Sequence, residues 1–141
     1  MASPVQGESS RRAQRLRQQS EYEYMRRAGT RHAGRICLLV TAPPPDGRLR
    51  FGIITSRRYS RKAVVRNRAR RLFREAIRRR LPDLVPTWFL LIPRYGMKDA
   101  RMQDVLADLD RLTARAGIRG PGNDPTDGDP QRPAATQGME L

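Results

Sequence analysis

The residues of this sequence best suited to a chemical task are arginines, and they are concentrated between positions 57 and 80. Half of the residues in this segment are Arg or Lys, and Glu75 is its only acidic residue. A guanidinium group is planar and always charged, and it can bond a phosphate through two N–H groups at once. Neighbouring like charges repel when nothing binds them. The segment is therefore interpreted as a surface for a phosphate backbone rather than as a merely solvated face.

The same segment has the periodicity of an amphipathic helix over residues 65–80. Its apolar residues recur at the spacings i, i+3, i+4 and i+7, which predicts a single buried stripe. The members of this stripe are Val65, Ala69, Leu72, Phe73, Ala76 and Ile77. The opposite face carries Asn67, Arg70, Arg71, Arg74 and Arg78, with Arg66 and Arg68 at its two shoulders. A helix docked through its apolar stripe would present these guanidinium groups to solvent.

Composition favours nucleic acid as the partner. The 141 residues include 29 Lys and Arg against 14 Asp and Glu, a formal net charge of +15. An excess of this size indicates nucleic acid first and an anionic membrane surface second. No apolar run approaches the roughly 18 residues of a membrane span, and the N-terminus lacks the apolar stretch of a secretory signal. We therefore expect a cytoplasmic protein without a membrane partner.

The sequence lacks the residue combinations of a catalytic or metal site. Cys37 and His32 are the only residues of their types, so an internal disulfide is impossible and a zinc site is not expected. Inside the interval 47–98 the only carboxylates are Glu75 and Asp83, whereas a metal-dependent nuclease needs several to hold its ions. No phosphate-binding glycine loop or nucleophile motif is present. We expect no catalytic residues, and no metal or cofactor bound by protein side chains alone.

Composition also divides the chain into three parts. Residues 1–15 are polar and Arg-rich and are expected to be flexible. Residues 119–141 are rich in Pro, Gly and Asp and are expected to be disordered. A single domain is predicted over residues 16–118, a length that suffices for one ordinary core.

Local patterns predict three helices and three strands in this domain. In chain order these are a helix at 21–28, strands at 36–41 and 48–56, the basic helix at 65–80, a strand at 88–92 and a helix at 99–116. The first helix is expected to start at a capping box formed by Ser20 and Glu23 and to end at Gly29, and the last to end at Gly117. The first two strands are expected to pair antiparallel. The order strand, helix, strand implies a crossover and a sheet with helices packed on it.

The central residues also match a known family. The runs at 51–58 (FGIITSRR) and 63–75 (AVVRNRARRLFRE) resemble the protein subunit of bacterial ribonuclease P. The most distinctive part is Arg66-Asn67-Arg68, followed by Arg70-Arg71-Leu72 and Arg74. The resemblance covers about residues 16–117 and includes the first helix, the strand before Pro93 and the closing amphipathic helix.

The resemblance implies both a fold and a function. The fold it implies is α+β: a small two-layer α/β sandwich resembling a ribosomal-protein domain, with a left-handed crossover into the basic helix. The function it implies is that of the protein subunit of an endoribonuclease, a hydrolase that removes the 5′ leader from precursor tRNA. In that family the chemistry and the magnesium ions belong to a catalytic RNA. The protein binds this RNA and the leader.

The resemblance also assigns residues to two surfaces. A cleft beside the first helix is expected to take the leader through Tyr22 and Arg26, although Tyr22 could equally be a half-buried packing residue. Arg26 stands where the family often has an aromatic residue, as do Cys37 and Val40, so charge is expected to outweigh stacking here. The residues expected to face the catalytic RNA are Arg57, Arg58, Arg61 and Lys62 in the crossover loop, and Arg66, Asn67, Arg68, Arg70, Arg71 and Arg74 on the basic helix.

Two other functions compete with this interpretation. A structural or ribosomal RNA-binding protein without a processing role would suit the charge and the fold equally. A DNA-binding module would need a helix-turn-helix pair or a dimer zipper, and the sequence shows neither, so DNA is not expected as a partner.

The sequence leaves open the type of catalytic RNA, the leader preference, the oligomeric state of the free protein, the order of residues 1–15 and the role of the acidic tail. That tail is either inert or an internal competitor for the basic helix.

Overall fold

The computed structural model describes residues 14–120, in which three α-helices accompany a five-stranded sheet. The elements in chain order are β1 (Gln14–Arg15), α1 (Gln19–Ala28), β2 (Thr30–Ala33), β3 (Cys37–Ala42), β4 (Arg50–Ile53), α2 (Ala63–Arg80), β5 (Trp88–Pro93) and α3 (Met102–Ala116). Two 3-10 turns follow α2 and β5, at Leu81–Asp83 and Tyr95–Asp99. The strand order across the sheet is β1-β4-β5-β3-β2.

The ends of the described chain are tied to the domain. Strand β1 lies within the segment expected to be flexible, yet it pairs in parallel with β4, so the sheet starts two residues before the predicted boundary. At the other end Arg119, which is assigned to the tail by composition, forms a bridge with Leu84. The expectations of flexibility for residues 1–13 and of disorder for residues 121–141 lie outside the described residues.

Strand β5 occupies the centre of the sheet. It pairs in parallel with β4 and antiparallel with β3. The predicted antiparallel pairing of the first two predicted strands is therefore wrong, because β5 lies between them. An uninterrupted apolar run such as that of β5 is typical of a strand covered on both faces, and such a strand belongs inside a sheet. The parallel pair β4–β5 with α2 between them in sequence is the expected crossover, and its left-handedness stays a prediction.

Strand β2 is the element that periodicity does not predict. Its residues are mostly exposed, and it forms the edge of the sheet beside β3. An edge strand with little apolar surface shows no alternation of polar and apolar residues, so its sequence resembles that of a loop. Gly34 follows it, and a side chain there would collide with the carboxylate of Asp108. The hairpin therefore depends on a close approach that only glycine allows.

The two faces of the sheet are covered unequally. Helices α2 and α3 pack on one face and enclose the larger core, in which Leu39, Phe73, Phe89 and Leu109 are almost completely buried. Helix α1 packs on the other face over a smaller cluster around Met25. Successive strand residues point to opposite faces, so both cores draw on the same strands. The predicted α+β class is confirmed, and the main double layer is the sheet with α2 and α3.

Asp108 of α3 is a buried carboxylate that the apolar pattern of this helix does not reveal. One of its oxygens accepts hydrogen bonds from the backbone N–H groups of Ile36 and Cys37, at 3.0 and 3.1 Å. Its other oxygen pairs with the Arg111 guanidinium at 2.8 Å. A buried charge is tolerated only when it is paired and hydrogen-bonded, as it is here. Asp108 thereby fixes α3 to the start of β3.

The thiol of Cys37 is buried next to the same carboxylate. Burial and the charge of Asp108 both raise the pKa of this thiol, in keeping with a packing role for Cys37.

The helix ends differ in detail from their predicted positions. Helix α1 starts before residue 21, because Glu21 rather than Glu23 caps it, accepting from the backbone N–H groups of Arg17 and Gln18 at 2.7 and 3.0 Å. Helix α3 starts at Met102, later than predicted, since the residues before it form a 3-10 turn. Gly117 ends α3 with a left-handed φ of 75°, as expected.

Within residues 14–120, no helix has the length and apolar character needed to cross a membrane.

Helix α2 buries a narrower stripe than the one predicted. Ala69, Phe73 and two further stripe residues are buried, whereas Val65 and Leu72 are only partly covered. Phe73 has no exposed surface. Its ring therefore lies at the centre of the contact between the basic helix and the sheet.

We expect Phe73→Ala to lower the free energy of unfolding by about 3–5 kcal/mol, because it leaves a cavity in the larger core. The matched variant Leu72→Ala should lower it by less than about 2 kcal/mol, because this neighbouring side chain is only partly buried. Urea denaturation of the two variants measures both values. Equal losses for the two variants would contradict the burial pattern of α2.

Candidate nucleic-acid interface

The exposed face of α2 carries arginines that have no partner within residues 14–120. Arg71 and Arg74 are exposed and Arg70 is partly covered, and none of the three makes an ion pair or hydrogen bond through its side chain in the described part of the chain. Asn67, one turn earlier, is exposed as well. The burial of Phe73 on the opposite side of the helix holds these groups outward. This face can therefore accept an anion without first breaking an internal ion pair.

The crossover loop before α2 extends the same positive surface. Arg57, Arg58 and Arg61 line an open depression, and Lys62 follows them at the N-terminal cap of α2. All four side chains are exposed. The structure thus places the predicted loop residues beside the first turn of the helix, next to the predicted helix residues.

Arg66 and Arg68 are bound to the protein itself. A guanidinium nitrogen of Arg66 donates to the backbone carbonyl of Ser60 at 3.0 Å. Arg68 donates to the carbonyls of Lys98 and Ala100, at 3.4 and 2.6 Å. The expectation that the shoulders of the helix simply reach solvent is wrong for Arg68, which fastens α2 to the 3-10 turn after β5. Because a guanidinium has five donors, both residues keep N–H groups that could contact a phosphate.

The C-terminal half of α2 is partly neutralised. Glu75 accepts from Arg78 and Arg79 at 2.6 and 2.9 Å. These two hydrogen bonds lower the pKa of Glu75 to about 2, so it is charged at any physiological pH. Arg80 pairs with Asp110 of α3 at 2.6 Å. The uncompensated positive charge therefore lies at the crossover loop and the first three turns of α2.

A groove between α1 and the sheet holds the second predicted site. Tyr22 and Arg26 both line it. The other lining residues are Met25, Gly29, Arg31, Val40, Ile54, Leu90 and Ile92. The floor is thus aliphatic and cations stand at the rim. Cys37, by contrast, belongs to the larger core on the far side of the sheet.

Tyr22 is held in place within this groove. Its hydroxyl donates to the carbonyl of Leu16 at 3.0 Å, and desolvation raises the pKa of the phenol. The ring is only partly covered, so it combines a packing contact with a surface that a base could stack on. Both interpretations of Tyr22 given above are compatible with this position.

Two glycines set how closely α1 approaches the sheet. A side chain at Gly29 would collide with the Met25 carbonyl and with Val40, and one at Gly52 would collide with Leu90 and the Tyr22 hydroxyl. Gly29 itself has an extended backbone, with φ −79° and ψ 147°, so it is required for space rather than for a left-handed turn. The sequence pattern identified it as a helix end but not as this contact.

Arg31 is a groove residue that the sequence did not indicate. It lies on β2, and it lines the groove together with Arg26 of α1. Because β2 has no apolar alternation, nothing in the sequence places the Arg31 side chain at the groove rather than in a loop after the first helix. A second basic depression at the start of α1, lined in part by Arg15, Arg17 and Arg50, was also not predicted. Arg50 is paired there with Asp46 at 2.6 Å.

Acidic groups show no metal-binding arrangement in the described part of the chain. Among residues 14–120, no group of three or more His, Cys, Asp or Glu could hold a metal ion. The carboxylates with the shortest contacts serve structural purposes. Asp108 binds backbone amides, Glu75 and Asp110 bind arginines, and Asp46 accepts from the Trp88 indole at 2.9 Å.

Comparison with known sequences matches the chain to a family. The sequence model of the family described as Ribonuclease P matches residues 11–117. The chain is 40% identical over 112 residues to the ribonuclease P protein component of a Roseiflexus species, covering 77% of this chain and 89% of the relative. It is 32% identical over 105 residues to that of a Picosynechococcus species, covering 74% and 90%.

Solved structures show the same fold. The RNase P protein of Staphylococcus aureus superimposes with a TM-score of 0.68 at 21% identity, covering 75% of this chain and 97% of that protein. The RNase P protein of Thermotoga maritima gives a TM-score of 0.63 at 22% identity, covering 70% and 94%.

The unequal tethering of the arginines gives a stability test. We expect Arg68→Ala to lower the free energy of unfolding by about 1–3 kcal/mol, because it removes charge-assisted hydrogen bonds to two backbone carbonyls. Arg71→Ala should change it by less than about 0.5 kcal/mol, because that side chain is exposed and has no such bond. Chemical denaturation of the free protein distinguishes the two. A wild-type stability for Arg68→Ala would show that the bonds to the 3-10 turn contribute nothing.

Proposed function

Because the chain belongs to the ribonuclease P family, and is therefore a tRNA-processing subunit that accompanies the ribonuclease P RNA, we propose a division of labour for its surfaces. The face of α2 and the crossover loop bind the catalytic RNA. The groove beside α1 takes the 5′ leader of precursor tRNA. The RNA carries out the endonucleolytic cleavage, with magnesium ions that it holds.

One observation carries the assignment of α2. Arg70, Arg71 and Arg74 form a rigid set of cations on a helix held by its buried face, and no acidic side chain of the described domain compensates them. Two polyanions, the catalytic RNA and the precursor tRNA, must come close together in such a complex. A surface of fixed cations lowers their repulsion, and each phosphate that it neutralises releases counterions and strengthens binding. Asn67 and the remaining N–H groups of Arg66 and Arg68 extend this surface.

The carboxylates support the proposal that the chemistry belongs to the RNA. Those with short contacts, such as Asp108 and Glu75, are engaged by backbone amides or arginines. A carboxylate committed in this way is a poor magnesium ligand, because binding the ion would leave its present donors unpaired. The role of an RNA-binding protein with no part in processing is not favoured, since the relatives that match over most of the chain are ribonuclease P protein components.

The groove suits a single strand rather than a duplex. Its aliphatic floor and the partly covered Tyr22 ring offer apolar surface for unstacked bases, and Arg26 and Arg31 offer charge for the backbone. Proteins hold single strands through this combination of stacking and basic residues. A duplex would hide its bases from the groove. The 5′ leader is a part of precursor tRNA that can be single-stranded, and it lies next to the cleavage site.

The assignment of α2 can be tested by the salt dependence of RNA binding. Arg71→Ala and Arg74→Ala should each flatten the plot of log affinity for ribonuclease P RNA against log salt by about 0.7–0.9, the value for one lost phosphate contact. Arg78→Ala is the matched control. It removes the same charge from the same helix, but this arginine is paired with Glu75, so the slope should change less.

The same proteins can be assayed for leader release at low magnesium in a complex reconstituted with the RNA. Arg71→Ala and Arg74→Ala should require higher protein concentrations than the wild type for the same leader release. Protein freed of RNA should release no leader. Equal salt slopes for all three variants would refute the interface, and cleavage by RNA-free protein that a protein substitution abolishes would refute catalysis by the RNA.

The groove is tested by the length of the leader. In the assembled complex, affinity for precursor tRNA should rise over the first several leader nucleotides, and Tyr22→Ala should reduce that rise by about 1–3 kcal/mol if one base stacks on the ring. Tyr22→Phe keeps the ring and removes only the hydroxyl bond to Leu16, so it should preserve the rise. Mature tRNA, which has no leader, should bind all three proteins equally. An unchanged length dependence in Tyr22→Ala would assign Tyr22 to packing alone.

A further inference from the structure

The most exposed large aromatic residue of the described domain lies outside both the positive face of α2 and the groove beside α1. Tyr95, in the 3-10 turn after β5, is 81% exposed. Exposing an aromatic ring to water is unfavourable, and such rings are enriched where a partner covers them. The turn is not part of the groove, and the Tyr95 side chain is not covered by the core.

The turn that carries Tyr95 is firmly anchored. Met97 is completely buried, and the backbone N–H of Arg94 donates to the carbonyl of Ile36 at 2.9 Å. Gly96 packs so closely against the Arg35 carbonyl that a side chain would collide with it. On the other side, Arg68 donates to two carbonyls at the end of the turn. The ring is therefore presented by a fixed backbone, which reduces the entropy lost on binding.

A cation lies over one face of the ring. The Lys98 ammonium is 4.8 Å from the centroid of Tyr95 and 5.5 Å from that of Tyr59, which belongs to the crossover loop. Lys98 is exposed, as is Asp99, the acidic residue of the turn. The hydrogen bonds from Arg68 join this patch to the first turns of α2. An exposed ring and an exposed ammonium thus stand next to the positive face of the helix.

We propose that Tyr95 and Lys98 form a nucleotide subsite, in which one unpaired base of the ribonuclease P RNA stacks on the tyrosine ring while its phosphate contacts the lysine. This inference rests on the proposed function, because it requires α2 to face that RNA. A base stacked on the face of the ring opposite Lys98 would cover its exposed surface, and the ammonium would complement the adjoining phosphate. Stacking on a neutral ring does not depend on charge, so this subsite adds a contact of a different kind from the phosphate contacts proposed for the arginines of α2.

The test compares Tyr95→Ala with Tyr95→Phe in binding to the ribonuclease P RNA without precursor tRNA. The alanine variant should bind about 5- to 150-fold more weakly, the range for one stacked base, with an unchanged salt slope because no charge is lost. The phenylalanine variant should bind like the wild type. Lys98→Ala should flatten the salt slope by about 0.7–0.9. Melting temperatures should be unchanged for both tyrosine variants, because the side chain is exposed.

Chemical probing of the RNA locates the base. One unpaired nucleotide should be protected by the wild type and by Tyr95→Phe but reactive with Tyr95→Ala. Wild-type affinity of Tyr95→Ala, equal weakening by both variants, or protection that appears only in precursor tRNA would each overturn the subsite. Arg71→Ala, measured in parallel, distinguishes loss of the whole interface from loss of the subsite alone. If it weakens binding while Tyr95→Ala does not, the interface stands and only the subsite falls.

Discussion

The structure depends on holding many like charges together on one helix. Twelve of the 24 residues from 57 to 80 are basic, and their mutual repulsion opposes the helix as much as it favours an anionic partner. What holds α2 in place is apolar burial on its other side, centred on Phe73 in the larger core. Most helical stability in proteins comes from such tertiary packing rather than from intrinsic propensity. The proposed interface and the core are therefore two faces of a single element.

Ion pairs reduce this repulsion in the C-terminal half of α2, where no RNA contact is expected. The repulsion remains in the N-terminal half, where the RNA contact is expected. Glu75 compensates Arg78 and Arg79, and Asp110 compensates Arg80. Basic residues in the last turn of a helix also complement its dipole. Toward the start of α2 the arginines instead meet backbone carbonyls, as Arg68 does, or nothing within the described domain. The gradient of compensated charge along the helix gives the surface a direction, because the ion-paired arginines lie toward its C-terminus and the uncompensated ones toward the crossover loop.

The sequence predicts the parts of this protein that follow from periodicity and composition. The basic helix, the strand that follows it at residues 88–93 and the Gly117 cap lie close to where the patterns place them, and the resemblance gives the correct family.

Pairing between strands is different, because an apolar run shows that a strand is buried but not which neighbours it has. The position of β5 between β3 and β4 and the existence of the edge strand β2 were therefore missed. Hydrogen bonds over long sequence separations are equally hidden: Asp108 and Arg68 look like exposed helix residues until the chain is folded. Arg31 was missed for the same reason, since its place in the groove depends on a strand without an apolar pattern.

The glycine contacts beside α1 separate two properties of the groove. Its width is determined by backbone packing at Gly29 and Gly52, where any side chain would push the helix away from the sheet. Its chemistry is determined by the side chains along the rim and floor, such as Arg26 and Arg31. Substitutions of the second kind change the charge and polarity of the groove while it keeps its dimensions. If the groove has the role proposed above, leader preference would diversify among related proteins without any change of fold.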